Sequence, residues 1–509
     1  MFETAELGRK VSKSDYKKLV PELRVQLLEI QQQVRQANIP VVIVLAGVDG
    51  AGKGATVNLL NEWMDPRWIS THAYTDPSDE ERERPPFWRY WRDLPGRGAF
   101  GMFMSAWYSK PILEWVHEVT DHSELDEELS QINNFEKMVV DDGAIVIKFW
   151  MHLSRAAQKR RLKKLESDPL LRWKVTEKDW KNWRLYERFI EVAERTMQKT
   201  STGGAPWHII EGEDDNYRNL AVAAIVRDTL KRKLDQARQL TEHPPVEVGE
   251  LTEQIESVTE TLSQQTSILE SLPRDLVLEK SEYKRALKEQ QARLSDLFRK
   301  AGKKQKGDSI ILLFEGSDAA GKGGAIRRIT ASLDARSYRV IPIAAPTDEE
   351  QAHHYLWRFW RHIPRKGRVT IYDRSWYGRV LVERVEKFAK EEEWRRAYSE
   401  INDFEEHLVS SGVLLLKFWL HVDPDEQLAR FKLREQTPHK AWKLTDEDWR
   451  NRDKRQEYEE AVDDMIQRTS STIAPWFLVE GNNKYYARVK VLTTVCDQLE
   501  AQLKSKIEE

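Results

Sequence analysis

Two glycine-rich segments carry residues suited to binding phosphate. Residues 315–324 read EGSDAAGKGG and residues 46–55 read AGVDGAGKGA, each after an apolar run and before a helical pattern. In this context consecutive backbone N–H groups and the start of the helix form an anion site, and the lysine adds a positive charge. Both segments are therefore predicted P-loops. In the second, the residues expected to contact phosphate are Gly316, Ala320, Gly321, Lys322 and Gly323.

The second P-loop lacks the hydroxyl residue that usually helps to bind magnesium, because Gly323 follows the lysine. A carboxylate must take that place, and Asp318 within the loop is the candidate. Residues 368–379, RVTIYDRSWYGR, predict a strand that ends in a second candidate Mg²⁺ ligand, Asp373. The neighbouring Arg374 is suited to neutralise a transferring phosphoryl group. The alternatives are that Asp318 caps its own turn and that Asp373 and Arg374 form a surface salt bridge.

The two halves of the chain differ at these charged positions. Lys53 and Lys322 lie 269 residues apart, and this offset aligns the halves without a gap from the P-loops to Tyr217. Methionine is a poor ligand for Mg²⁺ and serine does not neutralise a phosphoryl group, so we predict that the first half is folded but catalytically inactive. The aligned pairs that carry this prediction are Asp373 with Met104, Arg374 with Ser105, Ser375 with Ala106 and Arg434 with Leu165.

A basic segment of the second half is the candidate lid. Residues 430–455 contain nine Lys or Arg residues and follow a predicted strand, where kinases of this architecture place a mobile lid. A cluster of cations suits a ligand that carries many phosphates, whereas a solvated helix surface is the alternative. The acidic residues gather at 446–448, which leaves four cations comparatively unopposed: Arg430, Arg434, Lys440 and Lys443.

A second pair of cations precedes the strand that ends in Asp373. Arg358 and Arg361 are three residues apart in the segment LWRFWRHIP, so a helix would place them on one face. We predict that they hold the α-phosphate of an acceptor nucleotide, and a role in facing solvent is the alternative. The histidines show no spacing typical of metal ligands.

Composition limits the class of protein. The chain has 509 residues, of which 40% are hydrophobic and 32% charged, with a net charge of only −3. This balance indicates globular domains and gives no global field for a nucleic-acid or membrane partner. The single cysteine, Cys496, suits a reducing compartment, and the first residues do not resemble a signal peptide. We therefore expect a cytoplasmic protein.

The repeat defines the domain organisation. Strand and helix patterns alternate in each half, which predicts an α/β fold with a mostly parallel sheet flanked by helices. We predict an inactive P-loop domain over residues 1–240, a linker over 241–280 and a catalytic P-loop domain over 281–509, each domain with a helical lid. Within the linker, residues 251–271 show the pattern of a polar amphipathic helix, so a docking helix is an alternative.

The second half resembles a known family at several motifs. EGSDAAGKGG, YDRSWYGRVLVERV, KFWLHV, AWKLTDEDW and TSSTIAPWFLVEG are similar to the motifs of the second family of polyphosphate kinases. The resemblance extends over about 15–235 and 282–500, and the tandem pair resembles the two-domain subgroup that acts on AMP. It implies a thymidylate-kinase-like fold, with Asp318, Lys322, Asp373 and Arg374 at the active site and Arg434 and Lys443 as lid cations. It also implies polyphosphate as donor, AMP as acceptor, ADP as product and Mg²⁺ as cofactor.

The core motifs leave two other functions open. An ATP-dependent nucleoside monophosphate kinase has the same loop, strand-end acid and lid. A protein that binds polyphosphate or nucleotide without catalysis is the other alternative, although the four charged residues of the second half argue against it there. Base preference, direction of transfer, donor chain length and assembly into a homodimer are not determined by the sequence.

Overall fold

The structure is a computed structural model that describes residues 1–242, 267–303, 307–437 and 445–508. The chain divides into two compact units. The first comprises residues 1–77, 89–247 and 348–354, and the second comprises residues 78–88, 248–347 and 355–509. Most of the predicted linker lies outside the described residues, so the bounds of the three predicted segments stay predictions.

Each unit contains one five-stranded parallel sheet. The first sheet has the order β2-β3-β1-β4-β5 and the second the order β7-β8-β6-β9-β10, which correspond strand for strand. The first five strands are β1 (Val41–Gly47), β2 (Ile69–Ala73), β3 (Phe100–Met104), β4 (Ile145–His152) and β5 (Trp207–Glu211). The others are β6 (Ser309–Gly316), β7 (Tyr338–Pro342), β8 (Val369–Asp373), β9 (Val413–His421) and β10 (Trp476–Glu480). The predicted α/β fold of two parallel sheets flanked by helices is confirmed.

The helices follow the same repeat. Up to residue 242 they are α1 (Lys13–Gln36), α2 (Lys53–Trp63), α3 (Asp79–Arg82), α4 (Trp88–Asp93), α5 (Ser109–Val116), α6 (His122–Asp141), α7 (Arg155–Ser167), α8 (Glu177–Arg184), α9 (Tyr186–Thr200) and α10 (Asp215–Glu242). The later ones are α11 (Lys280–Lys303), α12 (Lys322–Thr330), α13 (Asp348–Gln351), α14 (Trp357–Trp360), α15 (Val382–Val385), α16 (Glu391–Ser410), α17 (Pro424–Glu435), α18 (Asp446–Asp453), α19 (Arg455–Thr469) and α20 (Lys484–Glu508). Short 3₁₀ helices lie at Phe2–Ala5, Pro66–Trp68, Arg172–Lys174 and Trp376–Arg379. Over the described parts of the chain, no helix combines the length and the apolar character that crossing a membrane requires.

The central strand of the second sheet positions the candidate site. β6 is buried along almost its whole length because both faces of a parallel sheet are covered by helices. Phe314 of β6 is aligned with Asp373 of β8, and Gly316 is aligned with Leu420 of β9. The P-loop and the end of β8 therefore meet at the carboxyl edge of the sheet, where open α/β sheets bind ligands.

A buried histidine makes the stability of the second unit depend on pH. His407 in α16 is 4% exposed, and neither ring nitrogen has a hydrogen-bond partner among the described residues. Burial lowers the pKa of His407 to about 4 because the protonated ring loses its water. The unfolded chain takes up this proton near pH 6.5, so stability is full above that pH and falls as the pH drops toward 4.

We expect His407→Met to remove this acid sensitivity. The first half carries Met138 at the aligned position, also buried, so the same fold accommodates methionine there. Between pH 7 and pH 5 the wild type should lose about 2 kcal/mol more unfolding free energy than the variant. Urea unfolding at both pH values measures this difference, and parallel pH profiles for the two proteins would contradict it.

Candidate active site

The second P-loop is shaped by two glycines. Gly316 has a φ of +149°, and a Cβ there would lie 2.2 Å from the carbonyl oxygen of Leu420. Gly321 has a φ of +111° and caps α12, so its backbone favours glycine even though the space beside it is open. The Lys322 ammonium donates to the carbonyl oxygen of Gly316 at 2.6 Å, folded back onto the loop. The segment therefore has the strand–loop–helix form that a phosphate cradle requires.

An arginine of α17, a helix that extends into the predicted lid, forms hydrogen bonds with this loop. The Arg430 guanidinium donates to the carbonyl oxygens of Ala319 and Ala320 at 2.9 and 3.2 Å. It also donates to those of Gly481 and Asn482, at 2.6 and 3.0 Å. The prediction that Arg430 is a comparatively unopposed lid cation is wrong, because its Nε donates to the Glu426 carboxylate at 2.6 Å and its other donors bond backbone carbonyls. Ala320 itself is buried beneath the loop.

Asp318 connects the loop to the lid. Its carboxylate accepts a hydrogen bond from the Asn451 amide of α18 at 2.8 Å and lies 3.4 Å from the Arg374 guanidinium. Its backbone carbonyl accepts from the Gln427 side chain of α17 at 3.1 Å. The helices of the predicted lid therefore hold this aspartate at the mouth of the P-loop, and within the described residues its carboxylate contacts Asn451 and Arg374 rather than the N–H groups of its own turn.

Asp373 and Arg374 lie where β8 ends. The backbone of Arg374 has a φ of +66°, and its N–H donates to the carbonyl oxygen of Phe314 in the neighbouring strand. The Asp373 carboxylate makes no hydrogen bond or ion pair with any residue that the structure describes, which leaves its oxygens available to a ligand. The Arg374 side chain is 43% exposed and also lies 3.6 Å from Glu447. Burial by itself lowers the pKa of Arg374, but nearby carboxylates, foremost that of Asp318, hold it above its usual range.

A buried acid near this pair is a site residue that sequence reasoning missed. Glu315, at the end of β6, is 5% exposed and accepts a hydrogen bond from the Ser375 hydroxyl at 2.8 Å. Burial raises the pKa of Glu315, and the positive charge of Lys322 acts in the opposite direction. The first half has Ala46 and Ala106 at the aligned positions, so both members of the pair are absent together. The replacement of both Glu315 and Ser375 by alanine in the aligned half was the sequence signal that could have identified the pair.

The other predicted cations lie on α14, on α17 and in the segment that follows α17. Arg434 is at the end of α17 and half-buried, and its guanidinium forms no hydrogen bond or ion pair within the described residues. Lys443, like Lys440, lies outside the described residues. Arg358 in α14 donates to the carbonyl oxygen of Ala344 at 2.9 Å. Arg361 directly follows α14, with its guanidinium 4.7 Å from the ring of Trp357. The roles predicted for these four cations stay predictions.

The donor set suits a magnesium ion that also binds phosphate. No group of three or more His, Cys, Asp or Glu side chains in the described parts of the chain is arranged as a complete metal site. Two carboxylates are nevertheless present at the phosphate cradle, on Asp318 and Asp373, and Mg²⁺ typically takes one or two protein carboxylates with water and phosphate oxygens as its other ligands. The residues therefore fit the ion.

The first unit has the same framework without the charged pair. β3 ends in Met104, and Ser105 has a φ of +55°, the left-handed conformation that Arg374 adopts in the second unit. Asp49 is held as Asp318 is, by the Asn182 amide at 2.9 Å. The backbone of the site is thus preserved, while the carboxylate and the guanidinium at the strand end are not.

Comparison with known proteins gives one family for both halves. The model of the family described as Polyphosphate kinase 2 matches residues 10–238 and 277–507. A polyphosphate:AMP phosphotransferase of Pseudomonas aeruginosa is 49% identical over 505 residues, which are 99% of each chain. One of Acinetobacter johnsonii is 38% identical over 491 residues, 94% of this chain and 96% of that one. A crystal structure described as a polyphosphate kinase 2 from Pseudomonas aeruginosa superposes with a TM-score of 0.85 at 46% identity and covers 99% of this chain and 100% of its own.

Proposed function

Because the chain belongs to the polyphosphate kinase 2 family, we propose that it transfers the terminal phosphoryl group of inorganic polyphosphate to AMP, giving ADP. The observation that carries the proposal is the similarity to enzymes named polyphosphate:AMP phosphotransferase over 99% of both chains. Similarity over the whole length includes both halves and their lids. A relative that matched one domain alone would support only the phosphotransferase class.

We place the reaction in the second unit. An oxygen of the AMP phosphate attacks the terminal phosphorus of polyphosphate, and the bond from that phosphorus to the bridging oxygen breaks. The products are ADP and a polyphosphate chain shortened by one phosphate. The attacking oxygen is already anionic, so a strong general base is not required, and catalysis rests on positioning and on neutralising charge.

The residues of the site divide this work. The loop N–H groups and Lys322 bind phosphate oxygens, and Arg374 neutralises charge that spreads over the transferring group. Asp318 and Asp373 would hold Mg²⁺, which would supply positive charge that offsets the negative charge of the phosphates. The remaining cations bind the ends of the substrates: Arg434 and Lys443 the polyphosphate chain, Arg358 and Arg361 the phosphate of AMP.

We assign the enzyme to the cytoplasm. Its one cysteine, Cys496, is buried with a free thiol. A reducing compartment suits such a thiol. Burial also raises the pKa of Cys496 to about 11, which keeps the thiol protonated and unreactive near neutral pH.

Donor dependence tests the proposed function directly. AMP and Mg²⁺ are incubated with the full chain and either long-chain polyphosphate or ATP, and ADP is measured by chromatography while the polyphosphate chain length is followed on gels. We expect ADP with polyphosphate alone, together with shortened polyphosphate. ADP that forms only with ATP would identify a nucleoside monophosphate kinase instead, and no ADP with either donor would identify a binding protein.

A further inference from the structure

The first unit contains a cavity of about 720 Å³ beside its P-loop. The loop residues Gly47, Asp49 and Lys53 line one end, and the apolar or aromatic side chains of Ile112 and Phe189 line the wall. This volume lies within the range of about 300–1,000 Å³ that small-molecule sites occupy. A half that had merely become a structural support would not need an open cavity at this place.

The phosphate-binding end of this cavity is preserved. α2 begins at Lys53, and its cap Gly52 has a φ of +97°, close to the value of its counterpart Gly321. The Lys53 ammonium donates to the carbonyl oxygen of Gly47 at 2.6 Å, as Lys322 does to Gly316. The loop amides and the lysine therefore present the same anion site in the first unit as in the second.

The groups expected to stabilise phosphoryl transfer are missing from the same cavity. Ser105 lines the cavity and is aligned with Arg374 of the second unit. Met104, the residue before Ser105, is aligned with Asp373. The site thus keeps the parts that bind a phosphate in its ground state and lacks the parts that act on a transferring one. Binding without turnover is the expected consequence.

Charges of both signs lie around the cavity. The Lys110 ammonium is already engaged by Glu114 at 3.1 Å and by Glu128. The cavity is lined by three carboxylates and four cations: Asp49, Asp76, Glu114, Lys53, Arg89, Lys110 and Lys178. A chain of many phosphates would pass the three carboxylates, whereas one phosphate at the P-loop would not have to approach all of them.

Other residues of the lining suit a flat aromatic group. Tyr74 and Phe189 contribute rings, and the Arg89 guanidinium lies 4.9 Å from the centre of the Tyr74 ring. Aromatic rings and guanidinium planes stack on nucleobases. A ligand with one phosphate and one base matches both parts of the lining.

We propose that the cavity of the first unit binds a nucleoside monophosphate without transferring phosphate to it. The choice of AMP as the probe rests on the proposed function. A full chain therefore has two AMP sites, a catalytic one in the second unit and a silent one in the first.

The number of AMP sites tests this proposal. Equilibrium dialysis with radiolabelled AMP and no polyphosphate is performed on the full chain, and ADP formation is assayed separately on the same preparation. We expect two AMP molecules per wild-type chain and one per Leu113→Trp chain, because Leu113 lines the cavity and the larger ring obstructs the space that a ligand would occupy. A matched control is Val119→Trp, at a position 68% exposed and outside both sites, which should still bind two.

A second variant covers the case in which Leu113→Trp does not fold. The Lys53 ammonium bonds only loop carbonyls and lies 3.9 Å from Asp49, so Lys53→Ala should fold and weaken AMP binding at the first-unit site at least ~10-fold. One AMP per wild-type chain with normal ADP formation would overturn the inference and leave the proposed function standing. Two AMP molecules bound unchanged in both variants would place the second site elsewhere and also overturn it. Absence of ADP formation from AMP and polyphosphate would overturn the proposed function, whatever the number of sites.

Discussion

Replacing Arg374 by serine should lower the rate of ADP formation by on the order of 100- to 1000-fold, and we expect Asp373→Asn to have an effect of the same order. Both changes remove charge where we place the transferring phosphoryl group. The serine variant also reproduces the first half of the chain, where Ser105 adopts the same left-handed backbone, so the fold is expected to persist. Initial rates with AMP and polyphosphate measure the loss, which should fall mainly on kcat rather than on KM.

The matched control for this prediction is Asp49→Asn in the first unit. Asp49 has the same lid contact as Asp318, but no guanidinium or carboxylate of a strand-end pair accompanies it. We expect a loss of no more than a few-fold. Equal losses from Asp49→Asn and Asp373→Asn would contradict the assignment of catalysis to the second unit.

The Lys417→Met variant should lose about 3–5 kcal/mol of unfolding free energy in the second unit. The Lys417 ammonium is fully buried and donates to the Glu405 carboxylate at 2.7 Å, to the Tyr377 hydroxyl at 2.9 Å and to the carbonyl oxygen of Thr469 at 2.8 Å. Removing the ammonium leaves the Glu405 carboxylate in the core without a counter-ion. Urea or thermal unfolding monitors the effect.

Removing the charge of Glu405 as well shows whether the lost unfolding free energy comes from an unpaired buried charge or from lost packing. The double variant Lys417→Met with Glu405→Gln leaves no charge in the core and should recover part of the loss. A single variant as stable as the wild type would show that the buried pair contributes nothing. A double variant less stable than the single one would show that the loss arises from packing alone.

The same network explains why some residues persist in both halves. Lys148 of the first unit donates to the Glu136 carboxylate, the Tyr108 hydroxyl and the carbonyl oxygen of Thr200, at 2.6, 3.0 and 2.7 Å. The Trp107 indole donates to the same carboxylate. The Trp-Tyr pair and the buried lysine therefore hold the fold in each unit. The buried hydrogen bonds give these residues a structural role in both units.

The fold was predictable because its signals are local and repeated. The P-loops fix a strand and a helix on either side, and the offset of 269 residues brings two copies of every pattern into register. Continuous apolar runs such as VVIVLAG and SIILLFEG match the observed central strands closely. The strand end at Asp373 was also predicted, since polar residues follow a buried run directly there.

The contacts that organise the site were not predictable in the same way. Arg430 belongs to a basic segment, which predicts a cation of the lid. Its guanidinium instead donates to loop carbonyl oxygens more than 100 residues away along the chain. Asn451 and Gln427 reach Asp318 only because the lid helices fold back over the loop. Glu315 is an acid inside a buried strand, and its partner Ser375 comes from a neighbouring strand end. Such pairings depend on which element packs beside which, and spacing along the chain does not contain that information.

Assignment of ADP formation to one P-loop tests the central claim most directly. AMP, Mg²⁺ and long-chain polyphosphate are supplied without ATP to the wild type and to Lys53→Ala and Lys322→Ala. We predict that the wild type forms ADP and that Lys322→Ala lowers the rate at least ~100-fold more than Lys53→Ala does. Equal losses from the two lysines, or ADP formation by Lys322→Ala at the wild-type rate, would contradict the claim that the second unit catalyses the transfer.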